Sequence, residues 1–442
     1  MEMLAKVGAA LQQLLGPCAQ NAAERSGVIQ RQRTFSPMSL AMTFVLGHLQ
    51  KPQASVNELA VMAAQCGADV TPQAVDQRRT PELVMFLEYV FREAIKVIVA
   101  SPRSLAPILE RFKSVTLIDG SLITLPDSQK ERFKGCGGTY HASQSAVKLQ
   151  TELNLRSGAL SHIEIEPGKS PDGATCRQQA RRGAGSLRIS DLGYFCVAVF
   201  AAMAAAGEHF LSRLQFGTGV LLPDGTAINL LRWLQEQPES VVDRPILLGV
   251  KERLPCRLIA WRMPAERASR RRQKLRADVK RKRGGEPSAE RLAWCDWTIL
   301  VTSVPVEMLT PPESIILYRA RWQVELLFKR WKSGGLIAAL TGSTDVRTMV
   351  GVWSRLIACL VQHWLLVATV WGDPCKSLDK AAKVIRDIAN QIATNLWRLD
   401  ALIHTLTVLN AAIAKTCNRN KRKKPGTFEL LNDPRLLDFA LT

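Results

Sequence analysis

The sequence lacks the cysteine and histidine patterns of a metal module or a disulfide framework. Its ten cysteines stand singly along the chain, no CxxC pair occurs, and the six histidines fall at no metal-ligand spacing from them. This distribution argues against a zinc module and against disulfide cross-links, and it favours a reducing compartment. A glycine-rich nucleotide loop is also missing, so the sequence does not imply ATP. We therefore expect a cytoplasmic protein.

A long apolar run and a secretory signal are missing as well. Residues 1–20 have no secretory pattern and predict a short amphipathic helix. The most apolar stretch, Leu356–Trp371, is short and has Gln362 and His363 at its centre. Such a stretch is typical of a buried helix rather than of a membrane span, with His363 as a core or interface histidine. We expect no membrane partner.

Acidic residues are scarce relative to basic ones. The 442 residues include 59 Lys and Arg against 39 Asp and Glu, a formal charge of +20 at pH 7. A surplus of this size predicts a polyanionic partner, usually nucleic acid; the alternatives are a merely basic soluble protein or one that rests on anionic lipid. The length allows two to four domains with a sizeable core.

The segment YRARWQVELLFKRWK carries an unusual polar face. At about 100° per residue, a helix places Tyr318, Arg321, Glu325, Lys329 and Lys332 on one narrow side. A solvated face normally mixes charges, whereas this face has a single carboxylate among cations beside a phenol. The pattern suits a metal-binding acid flanked by phosphate-binding groups, and a solvated face remains the alternative. Core-type residues occupy the other side: Ala320, Val324, Leu327 and Trp331.

Two further carboxylates each follow a β-rich run. Residues 114–118 lead into Asp119 and a glycine, and residues 186–190 end directly before Asp191. α/β folds keep catalytic groups at such strand ends, although Asp-Gly is also common in plain turns. Between the two runs the pattern predicts three elements: strand 147–155, strand 159–166 and helix 171–182.

Three antiparallel strands, a helix and a parallel strand, in this order, are typical of the ribonuclease H-like fold. The first and fourth strands of that fold lie side by side, which would bring Asp119 and Asp191 together. Other acids compete for the role, but alternation along their strands predicts that they face solvent. These rival acids are Asp127, Glu152, Glu164 and Glu166.

Far more residues separate Asp191 from Glu325 than one strand–helix unit requires, so we predict an insertion from about 215 to 303. Its basic run Arg267–Arg283 predicts a flexible phosphate-binding loop, and an unliganded charged loop is the alternative. Strand-like runs indicate that the insertion is β-rich: 246–250, 256–261 and 297–302.

Tyr318, Arg321, Glu325 and Lys332 have the spacing of the Y-(2)-R-(3)-E-(6)-K signature, and the chain resembles IS4-type DDE transposases from about 114 to about 366. Four fixed residue types at fixed spacing form a specific signature. The blocks IDGS and ISDLGYF also look like the first and second Asp blocks of the family. The leucine of the second block stands where some relatives carry arginine, which removes one phosphate contact.

The resemblance implies an α/β fold: a ribonuclease H-like catalytic core interrupted by a β-rich insertion and flanked by helical N- and C-terminal domains. Asp119, Asp191 and Glu325 would be catalytic and would bind two Mg²⁺ ions, with Mn²⁺ as a substitute. The implied partners are double-stranded DNA, at transposon ends and target, and a second copy in a homodimer on DNA. The residues implied to contact DNA are Tyr318, Arg321, Lys329, Lys332 and Trp297.

The implied reaction is cut-and-paste transposition, with binding of terminal inverted repeats, strand cleavage and strand transfer. A tryptophan of the insertion would stack on a flipped base; Trp297 matches better by position than Trp294, and core packing is the alternative for either. A metal-dependent nuclease without strand transfer and a non-catalytic DNA-binding relative also remain compatible with the sequence.

Helix-start signals mark the N-terminal region. Ser55 with Glu58, Thr71-Pro72 and Thr80-Pro81 predict helix starts in an arrangement compatible with either a helix-turn-helix or a plain helical bundle. We predict five regions: a helical DNA-binding domain (1–105), the first half of the catalytic core (106–214), the insertion (215–303), the second half of the core (304–372) and a helical C-terminal region with a basic tail at 415–424 (373–442).

Overall fold

The structure, a computed structural model, describes residues 2–30, 34–136, 144–337, 344–420 and 424–436. The chain forms two compact units, each assembled from discontinuous segments. The helical unit consists of Met1–Leu105, Asp119–Ser170 and Gln323–Lys423. The sheet unit consists of Ala106–Ile118, Pro171–Trp322 and Lys424–Thr442. Residues 421–423 of the predicted basic tail lie outside the described residues.

Nine strands form one sheet, in the order β3-β2-β1-β4-β5-β9-β8-β7-β6. The pairs β1–β4 and β4–β5 are parallel. The antiparallel pairs are β2–β3, β5–β9, β9–β8, β8–β7 and β7–β6. The fold is therefore mixed α/β, and the predicted pairing of the first and fourth strands is confirmed. The strands are β1 (Val115–Leu125), β2 (Ser145–Asn154), β3 (Leu160–Pro167), β4 (Leu187–Ser190), β5 (His209–Arg213), β6 (Val220–Leu221), β7 (Val241–Leu248), β8 (Leu254–Arg262) and β9 (Trp297–Thr302).

Helices flank the sheet in the sequence on both sides. Among the described residues the α-helices are α1 (Glu2–Gln13), α2 (Ala19–Ser26), α3 (Pro37–Gln50), α4 (Val56–Gln65), α5 (Pro72–Gln77), α6 (Pro81–Ala94), α7 (Val197–Ala205), α8 (Leu230–Gln235), α9 (Ala265–Arg283), α10 (Ala289–Trp294), α11 (Pro311–Ala320), α12 (Trp322–Ser333), α13 (Asp345–Thr369), α14 (Leu378–Asp387), α15 (Ala389–Asn395), α16 (Leu399–Thr416) and α17 (Thr427–Asn432).

The predicted helix starts in the N-terminal region are confirmed. Ser55 Oγ accepts the Glu58 N–H at 3.3 Å while the Glu58 carboxylate accepts the Ser55 N–H at 2.8 Å, which is a complete capping box before α4. Thr71 and Thr80 accept backbone N–H groups at the starts of α5 and α6, each with proline at the first helical position. These caps supply acceptors for N–H groups that a helix start leaves unpaired.

Helix α13 forms the centre of the helical unit. By length and composition it could cross a membrane, yet 89% of its most apolar window is buried inside the protein. His363 is 1% exposed, and its Nε2 lies 2.7 Å from the carbonyl oxygen of Gly158. Burial lowers the pKa of His363 to about 4, so the imidazole is neutral at pH 7. The predicted buried helix with a core histidine is confirmed.

The segment predicted as one helix from Tyr318 is two consecutive helices, α11 and α12. Arg321 stands between them, and its N–H bonds to the carbonyl oxygen of Tyr318 at 3.2 Å, a tightened i→i−3 turn. The backbone of Arg321 keeps helical dihedrals, with φ −48° and ψ −35°. The predicted core positions are confirmed, because each of them is at most 1% exposed: Ala320, Val324, Leu327 and Trp331.

The predicted flexible loop at Arg267–Arg283 is wrong, because these residues belong to the 19-residue helix α9. The segment contains no glycine or proline and consists mainly of Arg, Lys, Ala, Leu and Gln, which favour helices. The helix ends at Gly284, whose φ of 67° is the left-handed conformation typical of a helix stop.

Two other predictions in the sheet unit need correction. Residues 171–182 form two short 3₁₀ turns rather than one helix, since Thr175 caps the second turn and the Gln178 amide donates to the Tyr194 carbonyl oxygen at 2.7 Å. Strand β5 was not predicted at all. Only three residues separate it from the apolar helix α7, and Gly207 is the single turn-type residue among them, so the boundary between the two patterns is weak.

Candidate catalytic site

Asp119 and Asp191 follow paired positions on neighbouring strands. Strands β1 and β4 are parallel, and Ile118 pairs with Ser190 as the last partners in this register. The next residue after each of these is an aspartate, and both side chains are partly exposed. The predicted strand end at Asp119 is wrong, because β1 continues through it to Leu125, whereas Asp191 directly follows β4 as predicted. Asp119 Oδ1 also accepts the N–H of Gly120 at 2.9 Å. Each aspartate therefore stands one residue beyond the last paired residue of its segment.

The sheet unit brings Asp191, Tyr318 and Arg321 together. Burial raises the pKa of Tyr318 to about 12, while Arg321 and Arg213 lower it and Asp191 raises it. The Arg321 guanidinium is close enough to lower this pKa by its charge and as a hydrogen-bond donor, and within the described residues no group accepts the O–H of the phenol. The phenol therefore stays protonated at neutral pH and can donate a hydrogen bond to an incoming oxygen.

Sequence reasoning missed Arg213, the last residue of β5. Strand β5 lies next to β4, and the charge of Arg213 acts on the Tyr318 phenol close to Asp191. A cation at the end of a parallel strand is a recognisable signal, but only once the strand itself is identified. Without β5 in the prediction, Arg213 had no assigned position.

Glu325, Lys329 and Lys332 lie on α12. Glu325 is partly exposed, and both lysines are exposed. The opposite side of α12 is fixed within the helical unit, where the buried Arg330 donates from Nε to Asp379 Oδ1 at 2.9 Å. Because this side of α12 packs into the core, the rotation of the helix about its axis is set, and Glu325 lies on the side that remains partly exposed.

One rival acid departs from its predicted exposure. Glu152 is 2% exposed instead of facing solvent, because β2 is buried along both of its faces. Alternation predicts exposure only when one face of a sheet is solvated. Asp127 is exposed as predicted and accepts the N–H of Gln144 at 2.7 Å, whereas Glu164 and Glu166 are partly exposed.

Trp297, the first residue of β9, is 3% exposed and packs in the apolar core of the sheet unit. The guanidinium of Arg262 lies 5.0 Å from the centre of its ring. A base could stack on this indole only after the side chain had become accessible. Trp322, which sequence reasoning did not single out, is 53% exposed and directly follows Arg321.

Helix α9 concentrates positive charge on the sheet unit. It contains ten Lys and Arg against two acids, a net +8 of the +20 total. Arg271 fixes it to β9, with Nη1 donating to the Trp297 carbonyl oxygen at 3.0 Å and Nη2 to Thr298 Oγ1 at 2.9 Å. Arg272 pairs with Asp296. Arg267 is half-buried, and five further basic residues of the helix are exposed: Arg270, Lys274, Arg276, Lys280 and Arg281.

These groups are suited to phosphate chemistry. Carboxylate oxygens are hard ligands that suit divalent cations such as Mg²⁺ or Mn²⁺. The protonated phenol and the nearby guanidinium are donors that suit phosphate oxygens. A helix with net charge +8 adds a long-range attraction for polyanions.

Comparison with known proteins agrees with this chemistry. Residues 110–361, more than half of the chain, match the family model described as Transposase DDE domain. The transposase for insertion sequence element IS231B of Bacillus thuringiensis subsp. berliner is 26% identical over 363 residues, covering 77% of this chain and 75% of the relative. The transposase for insertion sequence element IS1151 of Clostridium perfringens is 27% identical over 369 residues, covering 78% and 76%. A putative transposase of insertion sequence element IS186A of Escherichia coli (strain K12) is 33% identical over 107 residues, covering 24% and 29%.

Proposed function

The chain belongs to the DDE transposase family, and we propose that it is an insertion-sequence transposase that moves its element by a cut-and-paste route. It would bind the terminal inverted repeats, cleave the DNA strands in a Mg²⁺-dependent reaction and join the freed ends to a target. The observation that carries the proposal is the register of β1 and β4, which puts Asp119 and Asp191 one step beyond paired residues. The resemblance adds Glu325 as the third acid.

Asp119, Asp191 and Glu325 would hold the metal, and their chemistry fits it. All three offer carboxylate oxygens on side chains that are partly exposed. Two bound Mg²⁺ ions would supply an activated nucleophile and stabilise the leaving oxygen. The chain's own task would be to keep three negative groups in place: β1 and β4 would position two of them, and α12 would position the third.

Tyr318, Arg321, Lys329 and Lys332 would hold the DNA next to the cut. The phenol donates one hydrogen bond to a phosphate oxygen, and the planar guanidinium can donate two in parallel. The ammonium groups of Lys329 and Lys332 add positive charge further along α12. Arg213 would join this group, because it lies close to the Tyr318 phenol.

Replacement of Tyr318 by Phe tests the phenol. The rate of the first nick should fall about tenfold to hundredfold, since a hydrogen bond to a charged group is worth about 1.5–3 kcal/mol and about 1.4 kcal/mol is a factor of ten. Because the pKa of Tyr318 is about 12, the ratio of wild-type to Tyr318→Phe rates should stay constant from pH 7 to 9. Tyr89→Phe serves as the control, and equal rates for all three proteins would remove the phenol from the site.

The proposed function also assigns the larger regions. Residues 1–105 would form a helical DNA-binding domain, and 106–214 with 304–372 a ribonuclease H-like core. Residues 215–303 would be the insertion, here containing β6 to β9 and the basic helix α9. Residues 373–442 would be the C-terminal region. A homodimer would hold two transposon ends at once.

A hairpin on the transposon end is the intermediate we propose. One active site must cut two antiparallel strands, and the freed 3′-hydroxyl can do so by attacking the opposite strand. That attack bends the DNA sharply, so a base leaves the stack at a cost of a few kcal/mol. Stacking on an indole, worth roughly 1–3 kcal/mol, offsets this cost.

Trp297→Ala should slow hairpin formation about tenfold to hundredfold while changing the first nick little, because only the later step needs the flipped base. A denaturing gel of an end-labelled duplex incubated with protein and Mg²⁺ separates the two steps. Trp261→Ala, which removes another buried indole of the sheet unit, controls for lost packing. Trp322→Ala tests the exposed indole in the same gel. Doubly cut ends without any hairpin-length product would contradict the mechanism.

Strand transfer separates the proposed function from its rivals. Pre-cut ends, target DNA and Mg²⁺ should yield joined products with the wild-type chain. A nuclease would cut intact ends but leave pre-cut ends unjoined. A non-catalytic relative would bind the duplex and do neither.

A further inference from the structure

The helical unit contains a cluster of arginines around one carboxylate, which we call the arginine cluster: Asp76, Arg79, Arg347 and Arg355. Asp76 follows the first turn of α5 and bridges two of the arginines. Its Oδ1 accepts from Arg79 Nη1 at 3.4 Å, and its Oδ2 accepts from Arg347 Nη2 at 2.5 Å. Arg355, two turns further along α13, acts electrostatically on Arg79. Three guanidinium groups and one carboxylate give the cluster a net charge of +2.

Two donors of the cluster are buried and unsatisfied. The Nε atoms of Arg79 and Arg355 are buried, and neither has a hydrogen-bond partner among the described residues. Buried N–H groups are nearly always bonded, so such donors indicate a missing acceptor. The neighbouring His48 does not supply charge, because burial lowers its pKa to about 3 and leaves it neutral. An anion bound beside Arg79 would supply an acceptor for its donor and would offset the surplus of charge.

The cluster opens into a groove beside α5. Gln73 and Gln77 are one helical turn apart and exposed, so their amides lie on the same side of the helix. Glutamine amides can bond base edges, and arginines bond phosphates, so the two kinds of group together suit duplex DNA. Asp76 is the only carboxylate among the described residues that line the groove: Val56, Pro72, Gln73, Asp76, Gln77, Arg79 and Arg347.

We propose that the arginine cluster binds a backbone phosphate of duplex DNA, and that Asp76 occupies the place of this phosphate in the free protein. The proposal rests on the proposed DNA-processing function and adds a second DNA contact to it. A phosphate offers oxygen acceptors to Arg79 and Arg347 as the carboxylate does, and with more charge. Asp76 is then an internal competitor that weakens DNA binding.

If Asp76 competes with the phosphate, weakening its ion pairs with the arginines should improve the binding of duplex DNA. Asp76→Asn should tighten duplex binding roughly twofold to fivefold, the scale of one partly exposed charge pair. Arg79→Gln and Arg347→Gln should each weaken it about tenfold and make the log–log salt slope less negative by about one. Fluorescence anisotropy of the full chain with a labelled duplex of the element's terminal sequence, over a range of salt concentrations, measures both quantities.

Glu88 provides a matched control in the same unit. It also bridges two arginines, with Oε1 accepting from Arg92 at 2.8 Å and Oε2 from Arg132 at 2.9 Å. Glu88→Gln removes the same charge from the same kind of bridge, so it should leave affinity within about twofold. Thermal unfolding of each variant shows whether it is folded, and Arg347, the more exposed of the two bridged arginines, is the safer loss-of-charge variant.

The outcomes are distinct. Tighter binding by Asp76→Asn alone, with weaker binding by folded Arg347→Gln, supports the site. Unchanged affinity for both, or equal tightening by Asp76→Asn and Glu88→Gln, overturns it. If wild-type protein cuts and joins ends while these variants behave alike, the arginine cluster fails and the transposase function stands. If the wild-type chain binds no duplex, both fail.

Discussion

Cleavage of a transposon end will fall about a thousandfold or more when Asp119 or Asp191 is replaced by Asn, or Glu325 by Gln. Each change keeps the size of the side chain and removes one metal-binding charge. A metal ion supplies several kcal/mol of transition-state stabilisation, and about 1.36 kcal/mol is a factor of ten in rate. End binding should change little, because most of the affinity comes from phosphate contacts elsewhere. A gel-shift assay and a nicking assay on the same duplex measure the two effects separately.

Matched acids show whether the loss is specific. Asp127→Asn changes an exposed rival aspartate, and Glu290→Gln changes an exposed glutamate of α10. Both variants should cut at close to the wild-type rate. Retention of wild-type cutting by Asp119→Asn, Asp191→Asn or Glu325→Gln would remove that residue from the proposed metal site. Loss of cutting by the two control variants as well would point to general damage of the fold.

Local patterns predicted much of the arrangement around these acids. The core side of α12 follows from helical periodicity, a property of adjacent turns that does not depend on the rest of the chain. The ends of β4 and β9 follow from β-rich runs, and the starts of α4, α5 and α6 from capping residues. The side-by-side arrangement of β1 and β4 followed from the order of elements typical of the ribonuclease H-like fold, whereas their register was not predicted.

Errors arose where distant parts of the chain decide the outcome. Glu152 is buried because neighbouring elements cover both faces of β2, which no alternation within the strand reveals. The 3₁₀ turns near Thr175 depend on a side-chain bond to Tyr194, a partner distant in the sequence. Arg213 was missed because β5 has only five residues, and its place between β4 and β9 depends on pairing with distant parts of the sequence. The loop predicted at α9 is wrong for another reason: a high density of charge does not prevent a helix when the residues that carry it favour one.

Because the basic run is a helix, its contribution to DNA binding can be tested by replacing chosen residues. At about 1.5 Å per residue, the 19 residues of α9 span about 28 Å and present their charges at fixed spacing. Arg271 and Arg272 hold the helix to β9, so five other basic residues can be replaced without removing these anchors. A five-glutamine variant should keep the helix, since Gln, Lys and Arg have similar helix propensity. The five are Arg270, Lys274, Arg276, Lys280 and Arg281.

The five-glutamine variant should bind DNA about a hundredfold or more weakly at physiological salt. Each phosphate neutralised contributes about −0.9 to the slope of log affinity against log salt, so the slope should become less negative by up to about 4.5. Five exposed basic residues of the helical unit, changed to Gln together, give a variant of equal net charge. If the affinity for DNA depended only on the net charge of the protein, the α9 variant and the control variant would lose the same amount of affinity. A flatter slope for the α9 variant alone would show that the phosphates lie along this helix, and equal slopes would exclude it as a DNA contact. The control positions, all outside residues 1–105, are Lys130, Lys134, Lys169, Lys383 and Arg398.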